Sequence, residues 1–434
     1  MKTHKALPFF AIGILLSNGA RAESANSFLN AVATMVQNSP KHKAILEQHA
    51  SKIAESNPLL YAHYPHLSAS AIHQTSKAFD TKFSTAQSTT LATTVSIPVW
   101  RFGADTISTK QGQTAQDLAH AEMVAEVAAL ESEMATLAIE FLKAQKQFIL
   151  EERITKARAE TLAKAEVLFK KGLLPQEELE KMRLDVGLAK VALSENKTRM
   201  EELKRKVTLF HGSEIANLDW PWETEFFMPI LKRNEPTLAA GALDKALRIG
   251  VLRTQQNAWE LQKAKATALP SVEASGQIAK TFRHNSNSQT EPSTWNAGIS
   301  ATIPLFERMQ NYGRIESAAR SHRAAQFQAQ SKEIEVKNET TALLSTMKDK
   351  VASAQERISF LAQAQKNLEK SRERFLTGKI SSNDLSMDET RLFQMEQNLL
   401  DNIAALQQTG VQLCSTLVVT LAECTGEWNS LLQK

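Results

Sequence analysis

The sequence predicts a mainly α-helical chain with a small β contribution: a duplicated helix–strand–strand–helix–helix unit whose strands complete a barrel only with identical neighbours. Three observations predict this. Local motifs recur 206 residues apart, four short segments alternate apolar and polar residues, and long proline-free stretches carry apolar residues at steps of three and four.

The N-terminus sets the compartment. Lys2, His4 and Lys5 precede an apolar stretch from Leu7 to Leu16 and a small-x-small site at Ala20-Arg21-Ala22. This pattern predicts a secretory signal peptide over residues 1–22. The alternative, a retained anchor, is opposed by the cleavage site, and the apolar stretch is too short to span a bilayer as a helix. Glu23 rather than cysteine follows the expected cut, which argues against an N-terminal lipid anchor. Without Lys2, Lys5 and Arg21 the basic count falls from 51 to 48 against 47 acids, a charge of +1. Such a chain carries no electrostatic footprint for nucleic acid. Aromatic residues make up 6% and glycines number 15, a composition of long helices. No later segment reaches the roughly 18 consecutive apolar residues of a membrane helix.

The two cysteines are Cys414 and Cys424. On one continuous helix their ten-residue separation spans ~15 Å, beyond the ~7 Å limit for a disulfide. They are expected as buried thiols. A bridge would require the helix to end between them.

The duplication is read from paired landmarks. Pro98 and Pro304, Phe169 and Phe375, Gly172 and Gly378, and Leu179 and Leu385 are each 206 residues apart. The expected organisation is repeat 1 over 23–211, a linker over 212–235 containing Trp220-Pro221-Trp222, and repeat 2 over 236–434. Period-two alternation predicts strands near 66–76, 88–99, 271–280 and 294–305. Val272, Ala274, Gly276 and Ile278 alternate with Glu273, Ser275 and Gln277. Trp295, Ala297, Ile299, Ala301, Ile303 and Leu305 alternate with Asn296, Gly298, Ser300 and Thr302. In copy one Leu91, Val95, Ile97 and Val99 face away from Thr94 and Ser96, with Thr93 interrupting the apolar face.

Helices follow from proline placement and heptads. Proline is absent between Pro98 and Pro175 and after Pro304. Met123, Val127, Leu130, Met134, Leu137, Phe141, Ala144 and Phe148 form one seam. Leu179, Met182, Val186, Ala189, Leu193, Asn196, Met200, Leu203 and Val207 form another, repeated at 385–413 with Asn402 matching Asn196. Sustained seven-residue spacing predicts left-handed coiled-coil hairpins, with turns near 170–176 and 376–382.

Four strands cannot close a membrane barrel, and an open edge in hydrocarbon is costly. Three copies would supply a 12-stranded barrel; two would leave little lumen. Alternation alone does not exclude the alternative of a half-buried soluble sheet. Tyr61, Tyr64 and Tyr312 lie at strand–helix junctions with Trp100 and Phe306 beside them, as expected of membrane-interface aromatics.

These residues carry a resemblance. The signal peptide, the twofold repeat, Leu269-Pro270-Ser271-Val272 before a strand, and strand–proline–aromatic entries into long helices are similar to the TolC family of outer-membrane efflux proteins. So are the turns at Phe169–Leu173 and Phe375–Gly378, followed by Leu179 and by Asp384-Leu385. The resemblance covers essentially the whole chain after the signal peptide. It implies a homotrimer in outer-membrane lipid, with a periplasmic α-barrel docking a periplasmic adaptor (membrane fusion) protein and an inner-membrane transporter. Drug or metal efflux and type I secretion are all within its range, and no cofactor is implied. It assigns adaptor docking to Lys171, Gly172, Leu173, Leu174, Thr377, Gly378, Lys379 and Ile380; for the glycines, turn geometry alone is a sufficient explanation. It assigns a periplasmic entrance ring to Asp384 and Asp388, which could instead be a helix N-cap and a register-setting seam residue. Phe375 and Ile380 stand where some members place a tyrosine and an arginine, so a polar lock of that kind is not expected. The family's Asn-Pro helix entry is Ser39-Pro40 in copy one and is missing near Arg248-Ile249.

An enzyme is disfavoured by the absence of HExxH, a phosphate-cradling glycine loop or Cys-His metal spacing. His63, His66 and His73 cluster near the first strand, where solvated histidines are the simpler reading than metal ligands. A periplasmic coiled-coil adaptor or scaffold is the rival function. An adaptor would carry one hairpin flanked by β-rich halves rather than two hairpins with strand pairs.

Overall fold

The computed structural model of the chain describes residues 18–77, 85–212, 235–283, 293–303, 308–421 and 424. Most of the expected signal peptide, nearly all of the 212–235 linker, and Pro304, Leu305 and Phe306 lie outside the described residues. Among the described residues the elements are α1 (Asn18–Asn38), α2 (Pro40–Leu60), β1 (His66–Lys77), β2 (Thr85–Trp100), α3 (Ala104–Lys170), α4 (Gln176–His211), α5 (Glu235–Thr267), β3 (Ser271–Arg283), β4 (Thr294–Thr302), α6 (Arg308–Leu376) and α7 (Ser382–Thr416). The fold is mainly helical with one four-stranded open sheet. The chain divides into two compact units. One comprises Met1–Leu46, Met123–Ala246 and Ile334–Lys434; the other comprises Glu47–Glu122 and Leu247–Glu333.

The second unit holds the sheet, ordered β1-β2-β3-β4 and antiparallel throughout. Its register puts the apolar residues of all four strands on one face. Leu67 pairs with Val95, Val95 with Gly276 and Gly276 with Ala297; Ile97 pairs with Ala274 and Ala274 with Ile299. The other face carries Ser68, Thr94, Gln277 and Asn296 in one row. Thr90 and Thr281 hydrogen-bond there at 3.1 Å. A bulge between Pro98 and Trp100 shifts the pairing so that Trp100 opposes Val272. Proline, lacking an N–H, is tolerated at such a break, and the shift brings Trp100 onto the apolar face. The exceptions are Ile72, Ala92 and Ala279 on the polar face and His73, Thr93 and Lys280 among those on the apolar one. Strands β2 and β3 are longer than alternation predicted. Strand β4 ends at Thr302, short of the expected 305.

Below the sheet in sequence, α2 packs closely on α3. A Cβ at Gly112 would meet Leu59 Cβ and Leu60 Cδ2 at 3.0 Å, so glycine permits the approach. Glu122 accepts from Lys52 Nζ and from Arg253 Nη2, each at 2.7 Å, joining α2, α3 and α5. Burial pushes this carboxyl upward, yet the hydrogen bonds and charges of Lys52 and Arg253 outweigh it and hold the pKa below the ordinary value. Trp259 Nε1 donates to Thr114 Oγ1, and Lys110 Nζ lies 5.1 Å from the Trp259 ring centre.

The first unit contains the helical hairpins. Along α4 the seam residues Leu179, Met182, Val186, Ala189, Leu203 and Val207 are buried. Along α7 Leu385, Asn402, Leu406, Thr409 and Leu413 are buried. The repeated asparagines each reach across their own hairpin: Asn196 Nδ2 donates to Glu151 Oε1 at 3.4 Å, and Asn402 Nδ2 to Ser353 Oγ at 3.0 Å. Helix α3 is buried more broadly than its heptad predicts. Ala135, Ala138 and Ile139 are fully covered, joining Phe28, Val32, Met35 and Val36 of α1 in one apolar cluster.

The cysteines require a correction. Helix α7 ends at Thr416, Leu417 is its C-cap, and Val418 takes a positive φ of 54°. The chain folds back, Leu421 enters the apolar cluster, and its N–H donates to Glu131 Oε2 at 2.9 Å. Cys424 thereby returns to within 6.2 Å of Cys414, Cα to Cα, and the two form a disulfide. The helical separation that argued against a bridge does not apply, because the helix stops between them.

Candidate functional site

The two hairpin turns share one backbone design. Gly172 and Gly378 adopt φ of 72° and 69°. At the first turn Gly172 N–H donates to Phe169 O and Leu173 N–H to Leu168 O; at the second, Gly378 donates to Phe375 O and Lys379 to Arg374 O. These paired bonds are the Schellman closure of a helix C-terminus. No atom lies within 4 Å of a Cβ built on either glycine, so backbone conformation and not space selects glycine here.

The turns do not present all their residues alike. Lys171, Leu173, Thr377 and Lys379 are exposed, whereas Leu174 and Ile380 pack with Leu179, Leu385, Phe375 and Met182 in an apolar cluster. Of the expected docking residues, those two are turned inward. Leu173 and Lys379 occupy equivalent positions, so this exposed site is apolar in the first turn, beside Lys171, and cationic in the second.

The helices leaving the turns differ. Pro175 precedes α4 with no side-chain cap. Ser381 caps α7 in a capping box with Asp384. Asp384 is therefore the third helical residue and not the N-cap; its Oδ2 accepts from Ser381 N and Oγ. Asp388 is half-buried and accepts from Ser371 Oγ at 2.6 Å. It bonds within its own hairpin, as a polar seam residue does.

Around these acids runs a polar network that heptad reasoning did not reveal. Lys181 hydrogen-bonds Asn383, and Ser386 Oγ donates to Asp185 Oδ2 at 3.0 Å, both linking α4 to α7. Arg158 donates to Thr390 Oγ1 at 3.2 Å, and Arg372 to Glu389 Oε1 at 3.1 Å. Farther along, Arg153 pairs with the buried Glu396. The available signal was polar residues one step off the apolar seams: Asp185 beside Val186, Glu389 beside Asp388, Glu396 beside Met395.

Glu151 is buried, and that burial pushes its carboxyl above the ordinary value while Arg158 opposes the shift. A raised carboxylate pKa makes the ionised form unfavourable in the fold once pH exceeds the ordinary value, and this effect vanishes in acid. Glu151→Gln, which keeps an acceptor for Asn196, should raise the thermal midpoint at neutral pH and leave it unchanged at about pH 4 or below.

The aromatics gather beside the strands. The rings of Tyr61 and Tyr64 meet edge-on at 5.3 Å, and Trp100 lies 5.4 Å from Phe102. Tyr61, Tyr64, Trp100 and Tyr312 are all exposed; Phe306 lies outside the described residues. Phe102 was missed by sequence reasoning; it holds a positive φ of 49° beside Gly103, where β2 turns into α3. His66 and His73 fall on opposite faces of β1, and His63 lies against Tyr64. Among the described residues no three His, Cys, Asp or Glu side chains gather as a metal site.

Residues 240–417 match the family model of outer membrane efflux proteins. That stretch of the chain is similar to the outer membrane efflux proteins. No curated protein matches the sequence. Solved structures agree with this chain in fold. The outer membrane protein VceC of Vibrio cholerae superposes with a TM-score of 0.76 at 14% identity, covering 94% of this chain and 100% of that one. A structure of CusC, described for transmembrane channel formation, gives 0.76 at 16% identity over 90% and 92%. The CmeC outer membrane channel of Campylobacter jejuni gives 0.74 at 12% over 93% and 89%. No helix among the described residues is long and apolar enough to cross a membrane.

Proposed function

We propose that this chain is one protomer of a trimeric outer-membrane exit duct for an efflux pump or type I secretion system. The sheet crosses the membrane and the hairpins stand in the periplasm. The observation that carries the reading is the sheet itself: four strands, two edges unpaired among the described residues, one mainly apolar face and one mainly polar face. Such a sheet is stable in lipid only when its edges are joined, β4 of one copy to β1 of the next, into a closed barrel. The match of residues 240–417 to the efflux-protein family and the fold shared with outer membrane channels support the same reading.

In this duct a periplasmic adaptor meets the turns through Lys171, Gly172, Leu173, Thr377, Gly378 and Lys379, with Leu174 and Ile380 supporting them from inside. Asp384 and Asp388 line the periplasmic entrance, where symmetric copies concentrate negative potential. The duct performs no catalysis; its inner-membrane partner supplies the driving force.

Purified protein in detergent should migrate as an SDS-resistant trimer and conduct ions in planar bilayers. A freely soluble monomer without conductance would overturn the proposal. In the same recordings, Asp384→Asn/Asp388→Asn should weaken block by multivalent cations several-fold, and unchanged block would remove these acids from the entrance.

A further inference from the structure

Two imidazoles face each other across α2 and α3. The ring centres of His49 and His120 are 6.0 Å apart, with planes inclined at 56°. Nε2 of His49 is buried and has no hydrogen-bond partner, an unfavourable state for a polar atom withdrawn from water.

The neighbouring polar groups are already matched. Lys52 and Arg253 both donate to Glu122, and Gln116 donates to Asn57 Oδ1 at 3.2 Å. The apolar contacts of Leu118, Ala121 and Leu252 fix α3 beside α5 in the same stretch. The helices carrying the two histidines are thus held in register by contacts that do not use the imidazoles.

We propose that His49 and His120 form a metal site for a divalent first-row cation, Zn2+ or Ni2+, that clips α2 to α3. Imidazole nitrogen suits both ions. Two imidazoles bound at about 2.0–2.1 Å to one ion have ring centres roughly 5–6.5 Å apart, depending on the angle between the bonds. The observed separation falls inside that range, so small side-chain rotations bring both nitrogens onto one ion. Among the described residues no third His, Cys, Asp or Glu completes a cluster, and water fills the remaining positions. Binding also gives the buried Nε2 a partner.

The test uses tag-free, full-length protein stripped with chelator, in a His63→Ala/His66→Ala/His73→Ala/His284→Ala background that removes the histidines in and next to the strands in sequence. Calorimetric titration with Ni2+, and separately with Zn2+, should show one ion per chain. His49→Ala and His120→Ala should each weaken that binding at least tenfold, and combining them should add little. Hydrogen exchange supplies a second readout: the ion should slow exchange in Pro40–Leu60 of the parent and leave both variants unaffected, while all three proteins exchange alike without metal. Less than a tenfold loss in either variant, or exchange in α2 that does not respond to the ion, overturns the proposal.

Discussion

Ile299→Arg should cost about 2–4 kcal/mol if the residue sits near the bilayer midplane, declining toward the interfaces. Ser300→Arg, one residue on, should be close to neutral. The contrast follows from register. Ile299 pairs with Ala274, which pairs with Ile97, all on the apolar face; Ser300 pairs with Glu273 on the other. Both positions are exposed on the same short strand, so strand propensity and distance from the turn differ little between them. Only the medium each side chain meets differs strongly. The readout is the yield of heat-resistant oligomer in outer-membrane fractions and its dissociation temperature. A Ser300→Arg defect as large as that of Ile299→Arg would mean that the apolar face does not meet lipid.

Cys424→Ser should destabilise the folded chain by about 2–3 kcal/mol, the chain-entropy value for a loop of this length. Cys424 is the better position because it is only partly buried, whereas Cys414 lies inside the apolar cluster. The substitution leaves a buried thiol at 414 and releases residues 417–424 from their covalent anchor. That segment is then held by Leu421 packing and by the hydrogen bond from its N–H to Glu131. Proteolysis should begin at the C-terminal segment at lower protease concentration, with a lowered thermal midpoint. Reductant should reproduce the shift in the parent and do nothing further to the variant. An unchanged midpoint in the variant would show that the apolar contacts suffice.

The architecture was legible wherever a period was long. Alternation exposed the four strands because each face of a sheet meets one medium, and heptads exposed α4 and the second half of α7 because each meets one partner helix. The second buried face of α3, at Ala135, Ala138 and Ile139, was not legible. It exists because residues of α1, α4 and α7 join it in one apolar cluster, and a heptad read on one helix carries no information about distant segments. The disulfide was hidden by a similar limit. No proline or glycine marks the end of α7 at Thr416, and the turn is made by Val418 in a conformation that valine rarely adopts.

At the hairpin tips the glycines were legible, because a positive φ leaves a signature in residue choice. The orientation of their neighbours was not. Leu173 and Leu174 are the same residue type, and only the Schellman geometry decides which one faces water. Asp384 likewise satisfied two sequence readings, and Ser381, three residues earlier, settles its structural role as the acid of a capping box.

The open sheet has a consequence for biogenesis. In each chain β1 and β4 are edge strands that no other strand among the described residues pairs on their outer sides. For the proposed trimer, completion of the barrel is therefore bimolecular or of higher order, and its rate depends on how many siblings are nearby. Until they meet, the bare edges are templates for any extended polypeptide, so a slow export rate would favour misassembly over closure.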